Sequence, residues 1–285
     1  MSEISVVRQR FPLLTARMRS WTDSWNRVGN QMVFYARTLA DIGVAFSRYK
    51  KEIVRLIAQM SLGTGALAVI GGTVVIVGFL TLSSGATIAV QGYNQLSGIG
   101  VEALTGFLSA YANVRIVAPA VAGIGLSATI GAGATAQLGA MRISEEIDAL
   151  EVMGIRSTAY LASTRLVAGV LVVIPLYCVA VLMAFLAARL STTAAYGQST
   201  GVYDHYFHTF LNSTDLIWSF FTAIMVAIAV MLVHTYYGFT ASGGPAGVGE
   251  AVGRAVRTSL IVLAFVVLAI SLSVYGQSGN FNLSG

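Results

Sequence analysis

Long apolar stretches separated by short polar ones dominate the chain. No residue between Leu56 and Val101 carries a formal charge, and the run LGTGALAVIGGTVVIVGFLTL from Leu62 is long enough to cross a bilayer, which takes about 20 apolar residues. Further spans are predicted at 116–141, 166–188, 216–237 and 258–275. Backbone against lipid must satisfy its own hydrogen bonds, so runs of this length must be helical. The hydrophobic fraction of 56% and the charged fraction of 10% agree with a polytopic membrane protein.

A different periodicity precedes the first span. Twelve apolar positions alternate in steps of four and three and share one helical stripe: Trp21, Trp25, Val28, Met32, Tyr35, Leu39, Ile42, Phe46, Tyr49, Ile53, Leu56 and Met60. Because Trp and Tyr favour the membrane boundary and the flanks are basic, the stripe predicts an interfacial helix lying in the membrane plane, bent near Gly29 or Gly43. A coiled-coil seam is the alternative.

The fold class is therefore an all-α integral membrane protein, with an N-terminal interfacial amphipathic helix followed by about five transmembrane helices. We divide the chain into a cytoplasmic N-terminus with this helix at 1–60 and a transmembrane domain at 61–285.

Basic residues are distributed unevenly. With five spans and a cytoplasmic N-terminus, 15 of the 17 Lys and Arg residues lie inside, and only Arg115 and Arg189 lie in the outer half. This split follows the positive-inside tendency and predicts a multi-pass inner-membrane protein whose tail, GQSGNFNLSG, is outside. The basic charge then indicates the topology and an affinity for anionic lipid, and we do not expect a nucleic-acid partner.

Small residues recur every fourth position within the second span. They are Gly123, Ser127, Gly131, Thr135 and Gly139. Membrane helices associate by close backbone approach over small residues, so this face is predicted to pack against other helices.

The segment SSGATIAVQGYNQLSGIG after the first span remains apolar but adds Gln91, Gly92 and Asn94. Its composition suits a broken helix or a re-entrant piece lining a cavity, and an ordinary outer loop is the alternative.

A short acidic helix is predicted between spans two and three, in RISEEIDALEVMGI. Ile147, Leu150 and Met153 or Gly154 share one face, Ser144 is placed to cap the helix, and Gly154 to end it. The acids Glu145, Glu146, Asp148 and Glu151 are predicted to be exposed. Anionic lipid on the cytoplasmic side would repel them, so we expect a soluble protein partner.

The chain resembles the MlaE/YrbE permeases of lipid-transporting ABC systems associated with MCE-domain proteins. The resemblance covers roughly residues 35–275 and is carried by four blocks in matching order: QGY at 91–93, the segment 115–119, QLGAMRISEEIDALEVMGI at 137–155 and FTASGGPAGVGEAVGRAVRTS at 239–259.

The resemblance implies a lipid substrate and several partners. Residues 144–154 would be the coupling helix that docks on a cytoplasmic ABC ATPase dimer, and a lipid pathway would be lined by Gln91, Gly92, Tyr93, Arg115 and Pro119. MCE-domain proteins would complete a conduit, with import as the expected direction. The chain has no GxxxxGK[ST] motif, so it holds no cofactor of its own, and ATP and Mg²⁺ would bind the separate ATPase.

The family pattern is not met everywhere. Where members read Arg-Glu-Leu-Gly-Pro, this chain reads Arg115-Ile116-Val117-Ala118-Pro119, and the family's next Arg and Glu are replaced by Thr129 and Gln137. These losses suggest one half of a heterodimer with a second YrbE-type permease, as in actinobacterial Mce systems.

Two other functions stay open from sequence. An ion-coupled secondary transporter usually needs buried carboxylates, but only Glu102 and Asp215 lie at the edges of spans. A membrane enzyme could use Asp204, His205 and His208, but three side chains in one loop without a further ligand are a weak metal motif, and we predict no metal site. His234 is expected to have a structural role.

Overall fold

The computed structural model describes residues 12–62 and 68–276, and this part of the chain is helical, without strands. Its ten helices are α1 (Pro12–Ala40), α2 (Ile42–Arg48), α3 (Lys50–Leu62), α4 (Ala68–Ser97), α5 (Glu102–Ile143), α6 (Glu146–Val152), α7 (Thr158–Ala195), α8 (Thr200–Phe210), α9 (Ser213–Phe239) and α10 (Gly244–Tyr275). The predicted start of the first span at 63–67 and the tail beyond Gly276 lie outside the described residues.

Within the described residues, five helices are long and apolar enough to cross a membrane: α4, α5, α7, α9 and α10. The predicted number of spans and the all-α class are confirmed. The helices extend beyond the predicted spans, since α5 has 42 residues, about 63 Å at about 1.5 Å per residue. That is twice the hydrocarbon thickness of about 30 Å, so part of α5 must project from the membrane.

The N-terminal part of α5 packs against α8. Ala110 on α5 forms an apolar cluster with Tyr203 and Phe207 on α8, and the Tyr203 hydroxyl donates to Ser109 at 2.9 Å. We call this face the α8 side of the molecule. The opposite face carries α6 and the connection between α9 and α10, and we call it the elbow side.

The segment at 83–97 is part of one continuous helix, so both the broken-helix and the outer-loop expectations are wrong. Its glycines serve helix packing. A Cβ atom at Gly85 would lie 2.5 Å from the Ala184 carbonyl oxygen of α7, and one at Gly92 would clash with Leu108 of α5. Contacts with α7 and α5 at these two glycines therefore stabilise the helical conformation of this part of α4.

The N-terminal stripe changes environment along its length. Trp25 and Met32 are exposed, whereas Ile53 and Leu56 are buried, with Ile53 packed beside Val167 of α7. The helix is interrupted at Asp41, two residues before Gly43 and thus near one of the two positions at which a bend was expected, and again at Tyr49; it is continuous through Gly29. Both glycines lie inside helices.

Helices α5, α9 and α10 meet across the small-residue face of α5. A Cβ atom at Gly123 would clash with Val226 of α9 and Leu263 of α10, one at Gly131 would lie 2.6 Å from the His234 ring of α9, and one at Gly139 would lie 2.8 Å from Val248 of α10. Ser127 and Thr135 are fully buried on the same face.

Substitution of Gly131 by Ala tests this contact against a matched control. Gly131→Ala is expected to destabilise the chain by about 1–3 kcal/mol because its methyl group overpacks the His234 ring. Gly133, two residues away, has open space around its Cβ position, so Gly133→Ala is expected to be neutral or stabilising by up to about 1 kcal/mol. Thermal unfolding in detergent measures both. Equal melting temperatures for the two variants would contradict the packing described.

Candidate functional site

The acidic segment on the elbow side is a short helix between two left-handed residues. Glu145 has φ 61° and precedes α6, and Gly154 has φ 76° and follows it. The Gly154 N–H donates to the Glu151 carbonyl at 2.9 Å and the Ile155 N–H to the Leu150 carbonyl at 3.0 Å, which is the Schellman arrangement that ends helices. We call residues 144–154 the elbow.

The predicted cap of this helix is wrong. Glu145, not Ser144, is the N-cap residue, and its side chain makes no capping hydrogen bond. Ser144 directly follows α5, where its hydroxyl donates to the Ala140 carbonyl at 3.0 Å and to the Glu146 carboxylate at 3.0 Å. Only Ser144 and Glu145 separate α5 from α6, and the left-handed conformation of Glu145 makes the turn between the two helices.

One face of the elbow anchors it to the spans. Ile147 is fully buried with Leu138 of α5 and Leu161 of α7, and Leu150 packs at the edge of this cluster. An ion pair between Arg142 and Asp148, at 2.5 Å, adds a first polar contact to this anchor.

A second polar contact holds the elbow at the start of α7, where the Ser157 hydroxyl donates to the Glu151 carboxylate at 2.5 Å. The elbow is thus tied to both α5 and α7, so a force on it reaches two spans.

The outer face of the elbow combines acids with an apolar tip. Glu145, Glu146, Asp148 and Glu151 are exposed. Val152 and Met153 are 89% and 66% exposed, and Gly154 is exposed as well, so neither Met153 nor Gly154 shares the burial of Ile147, the residue with which one of them was expected to form a face. Protein-binding surfaces commonly have an apolar centre and a polar rim. The apolar tip and the exposed acids beside it match that pattern.

The N-terminal helices are fastened beside the elbow. The Asp41 carboxylate accepts from Thr158 at 2.9 Å and pairs with Arg156 at 3.3 Å. The buried Ser163 hydroxyl donates to the Thr38 carbonyl at 2.8 Å. These contacts join the α1–α2 junction to the first turns of α7.

On the α8 side, Arg115 has partners from two other spans. Asp215 of α9 accepts from its Nε at 3.1 Å and its Nη2 at 2.8 Å, and the rings of Tyr111 and Tyr275 each lie 3.9 Å from its guanidinium carbon. The acid missing from the 115–119 segment is thus supplied from α9. Stacking and ion pairing together hold this cation where an unpaired one would be costly.

The other residues predicted for a lipid pathway are dispersed. Gln91 is exposed, Gly92 is buried against Leu108, and Pro119 is buried inside α5. Tyr93 stacks on Tyr196 with ring centroids 4.3 Å apart.

The two positions that depart from the family pattern have ordinary surroundings. The Thr129 hydroxyl is 3.0 Å from that of Thr73 and also bonds the Gly125 carbonyl. Gln137 is exposed.

A buried polar cluster inside the membrane was missed by sequence reasoning. His234 Nδ1 lies 2.8 Å from the Thr135 hydroxyl, and Nε2 lies 3.1 Å from Ser127 and 3.2 Å from Ser259. Ser127 and Ser259 are 2.7 Å apart. The cluster links α5, α9 and α10. The only signal for it in the sequence is a lone histidine in one span and two hydroxyls on the small-residue face of another.

His205 and His208 lie within α8, so their expected place in a loop is wrong. The described residues contain no group of three His, Cys, Asp or Glu that could hold a metal. Asp204 instead forms a bidentate pair with Arg189, at 2.8 Å for both bonds. Hydrogen bonding by that guanidinium lowers the pKa of the Asp204 carboxyl. His205 and His208 are exposed.

Comparison with known proteins decides the family. A model described as Permease MlaE matches residues 62–273, well over half of the chain. The chain belongs to the MlaE permease family. The match extends from the end of α3 to near the end of α10, and therefore contains the elbow and the Arg115 site.

Relatives of this MlaE-family permease come from distant organisms. It is 24% identical over 85% of its length to the Intermembrane phospholipid transport system permease protein MlaE of Haemophilus influenzae, covering 95% of that protein. A Probable ABC transporter permease protein of Rickettsia felis is 25% identical over 84% of the chain, with 92% covered. Protein TRIGALACTOSYLDIACYLGLYCEROL 1, chloroplastic, of Arabidopsis thaliana is 26% identical over 69% of the chain, and the match spans 56% of that longer protein.

The ion pair at Arg115 gives a test of the α8 side of this permease. Asp215→Ala is expected to cost about 3 kcal/mol of stability, because the pair is mostly buried and the variant leaves the guanidinium uncompensated. Glu250→Ala, which breaks the exposed pair with Arg254, is expected to cost less than about 1 kcal/mol. The readout is the melting temperature in detergent. A loss for Asp215→Ala no larger than for the control would mean that the pair does not hold these spans together.

Proposed function

We propose that this chain is the membrane-spanning subunit of an ATP-driven lipid transporter, and that the elbow receives a separate cytoplasmic ABC ATPase dimer. The elbow carries the proposal: a rigidly anchored helix with an exposed acidic rim and an apolar tip, in a chain of the MlaE permease family. Since the chain has no phosphate-binding motif, ATP and Mg²⁺ bind the partner in this proposal.

Lipid is the proposed substrate. The Haemophilus relative is named as part of a phospholipid transport system, and the spans offer mostly apolar side chains. The edge carboxylate at Asp215, which an ion-coupled transporter would need, is engaged by Arg115.

The proposed assembly follows the resemblance to YrbE subunits. It pairs this chain with a second, non-identical permease, places MCE-domain proteins outside and moves lipid inward across the inner membrane. The N-terminus and elbow lie in the cytoplasm in this arrangement, which puts α8 outside. Support comes from the uneven distribution of Lys and Arg and from the neutral residues at Thr129 and Gln137.

Force would pass from the ATPase through Ile147 to α5 and α7. Because the small-residue face of α5 contacts α9 and α10 directly, a displacement of the elbow reaches four of the five spans found in the described part of the chain. Asp41 and Thr38 extend the same connection to the N-terminal helices.

Two pairs of substitutions at the elbow, one in its acidic rim and one in its apolar tip, test the docking site. Glu146→Lys with Glu151→Lys, and separately Val152→Asp with Met153→Asp, are expected to weaken ATPase binding by about thirtyfold or more, the effect of losing an interface hot spot. Both pairs are exposed, so insertion should not change. Because Glu151→Lys also removes the hydrogen bond from Ser157, Val152→Asp with Met153→Asp is the variant expected to keep the melting temperature of the unmodified chain. Co-purification of the ATPase and ATP turnover are measured.

Glu250→Lys is the matched control, an exposed acid on the same side of the membrane but on α10. It should leave both measurements at the level of the unmodified complex. Normal ATPase binding and turnover in both elbow variants would contradict the proposed docking site.

A further inference from the structure

Arg165, near the start of α7 on the elbow side, is a buried cation outside every ion pair found in the described residues. It is only 4% exposed. Its Nη1 donates to the Leu161 carbonyl of its own helix at 3.1 Å, and its buried Nε has no hydrogen-bond partner. Buried polar groups are normally paired, and a buried cation without a counter-charge is costly. An anionic partner for this Nε is therefore to be expected.

Glu52 of α3 lies beside this cation. Two contacts join the chain around α3 to α7, one before and one after these two residues: Tyr49 with Tyr160, at 5.1 Å between ring centroids, and Ile53 with Val167. Of the acids around Arg165, Glu52 has the largest electrostatic effect on it. The expected counter-charge is thus already present between the two helices.

Glu52 is engaged by a different and more exposed cation. Its carboxylate accepts from Nε and Nη2 of Arg55, further along α3, at 2.9 and 2.6 Å. The Arg55 side chain is 65% exposed, whereas that of Glu52 is 12% exposed. Exposed pairs within a helix contribute little to stability, because water screens them and two long side chains lose freedom. Leaving Arg55 therefore costs Glu52 less than the neutralisation of Arg165 gains.

Arg165 is also connected to the elbow. The residue whose carbonyl accepts from it, Leu161, packs its side chain in one cluster with the buried Ile147. Residues 158–163 form a π-helical turn, and such turns are frequent at functional sites. A displacement of the elbow therefore moves the acceptor that holds Arg165 away from Glu52.

We propose that Glu52 and Arg165 form a two-position switch between α3 and α7. In the first position, which the structure shows, Glu52 pairs with Arg55 and Arg165 bonds the Leu161 carbonyl. In the second position, the Arg165 Nε donates to the Glu52 carboxylate, and a buried ion pair joins the N-terminal helices to α7. Both side chains already lie between the two helices, so the exchange requires side-chain rotation only. Glu52 is then a positioning residue for the elbow.

NMR of arginine side chains tests the switch on the full chain in nanodiscs. The Nε–H signal of Arg165 is assigned by its disappearance in Arg165→Lys. Because Arg55→Gln releases Glu52, it is expected to shift the Arg165 signal downfield. The same variant should slow exchange of that proton with water at least about tenfold, the factor for a hydrogen bond to a charged group.

Arg254→Gln is the matched control, since it breaks another exposed pair within one helix, with Glu250 of α10. It should leave the Arg165 signal in place. An Arg165 signal that is the same in Arg55→Gln and in the unmodified chain would overturn the proposal.

A double-mutant cycle gives an independent measurement. In the Arg55→Gln background, Glu52→Gln and Arg165→Gln are made singly and together, and thermal unfolding is followed in detergent. The two losses are expected to be non-additive, with a coupling of at least about tenfold in the unfolding equilibrium. Additive losses would overturn the buried pair, because they would show that Glu52 and Arg165 do not interact when Glu52 is free to do so.

The link to the elbow rests on the proposed function. Addition of the ATPase that co-purifies with this chain is expected to move the Arg165 signal of the unmodified permease towards its position in Arg55→Gln. Binding of the ATPase with an unmoved signal would overturn this link and leave the docking site intact. Absence of ATPase binding would contradict the proposed function and the link together, whereas the result for Arg55→Gln on the free chain would still decide the switch.

Discussion

Close approach of α5 to α9 and α10 is the constraint on which this structure depends. Lipid provides no hydrophobic drive between spans, so the helices must be held by van der Waals contact and hydrogen bonds. Gly131 admits the His234 ring against the α5 backbone, and the ring then reaches hydroxyls of α5 and α10. Packing and hydrogen bonding therefore fix the same three helices in one register.

The elbow obtains its rigidity from this arrangement. Ile147 is buried between the ends of α5 and α7, and α5 is held in turn by α9 and α10. On the far side, Arg115 joins α5 to Asp215 of α9 and to Tyr275 of α10. Span α5 is thus held at both ends, by α7 through the elbow at one end and by α9 and α10 at the other, which suits a subunit that transmits force from one face of the membrane to the other.

Patterns within single helices were readable from the sequence, and contacts between distant residues were not. Apolar run length predicted the five spans, and the four-residue spacing from Gly123 to Gly139 marked one face of α5. By contrast, Asp215 lies a hundred residues from Arg115, and no local pattern pairs them. Composition misled at 83–97, because glycine and amide residues suggest irregular backbone, whereas Gly85 fits against α7 within a continuous helix. At the elbow, periodicity grouped Met153 or Gly154 with Ile147 and Leu150, but it could not show that α5 and α7 cover only the latter two.

The most direct test of the proposed function is native mass spectrometry of the intact complex purified through this chain from its own membranes. The account predicts a particle that contains an ABC ATPase pair and a second, non-identical permease, with phospholipid bound. A particle that transports lipid after reconstitution but contains no nucleotide-hydrolysing subunit would contradict it.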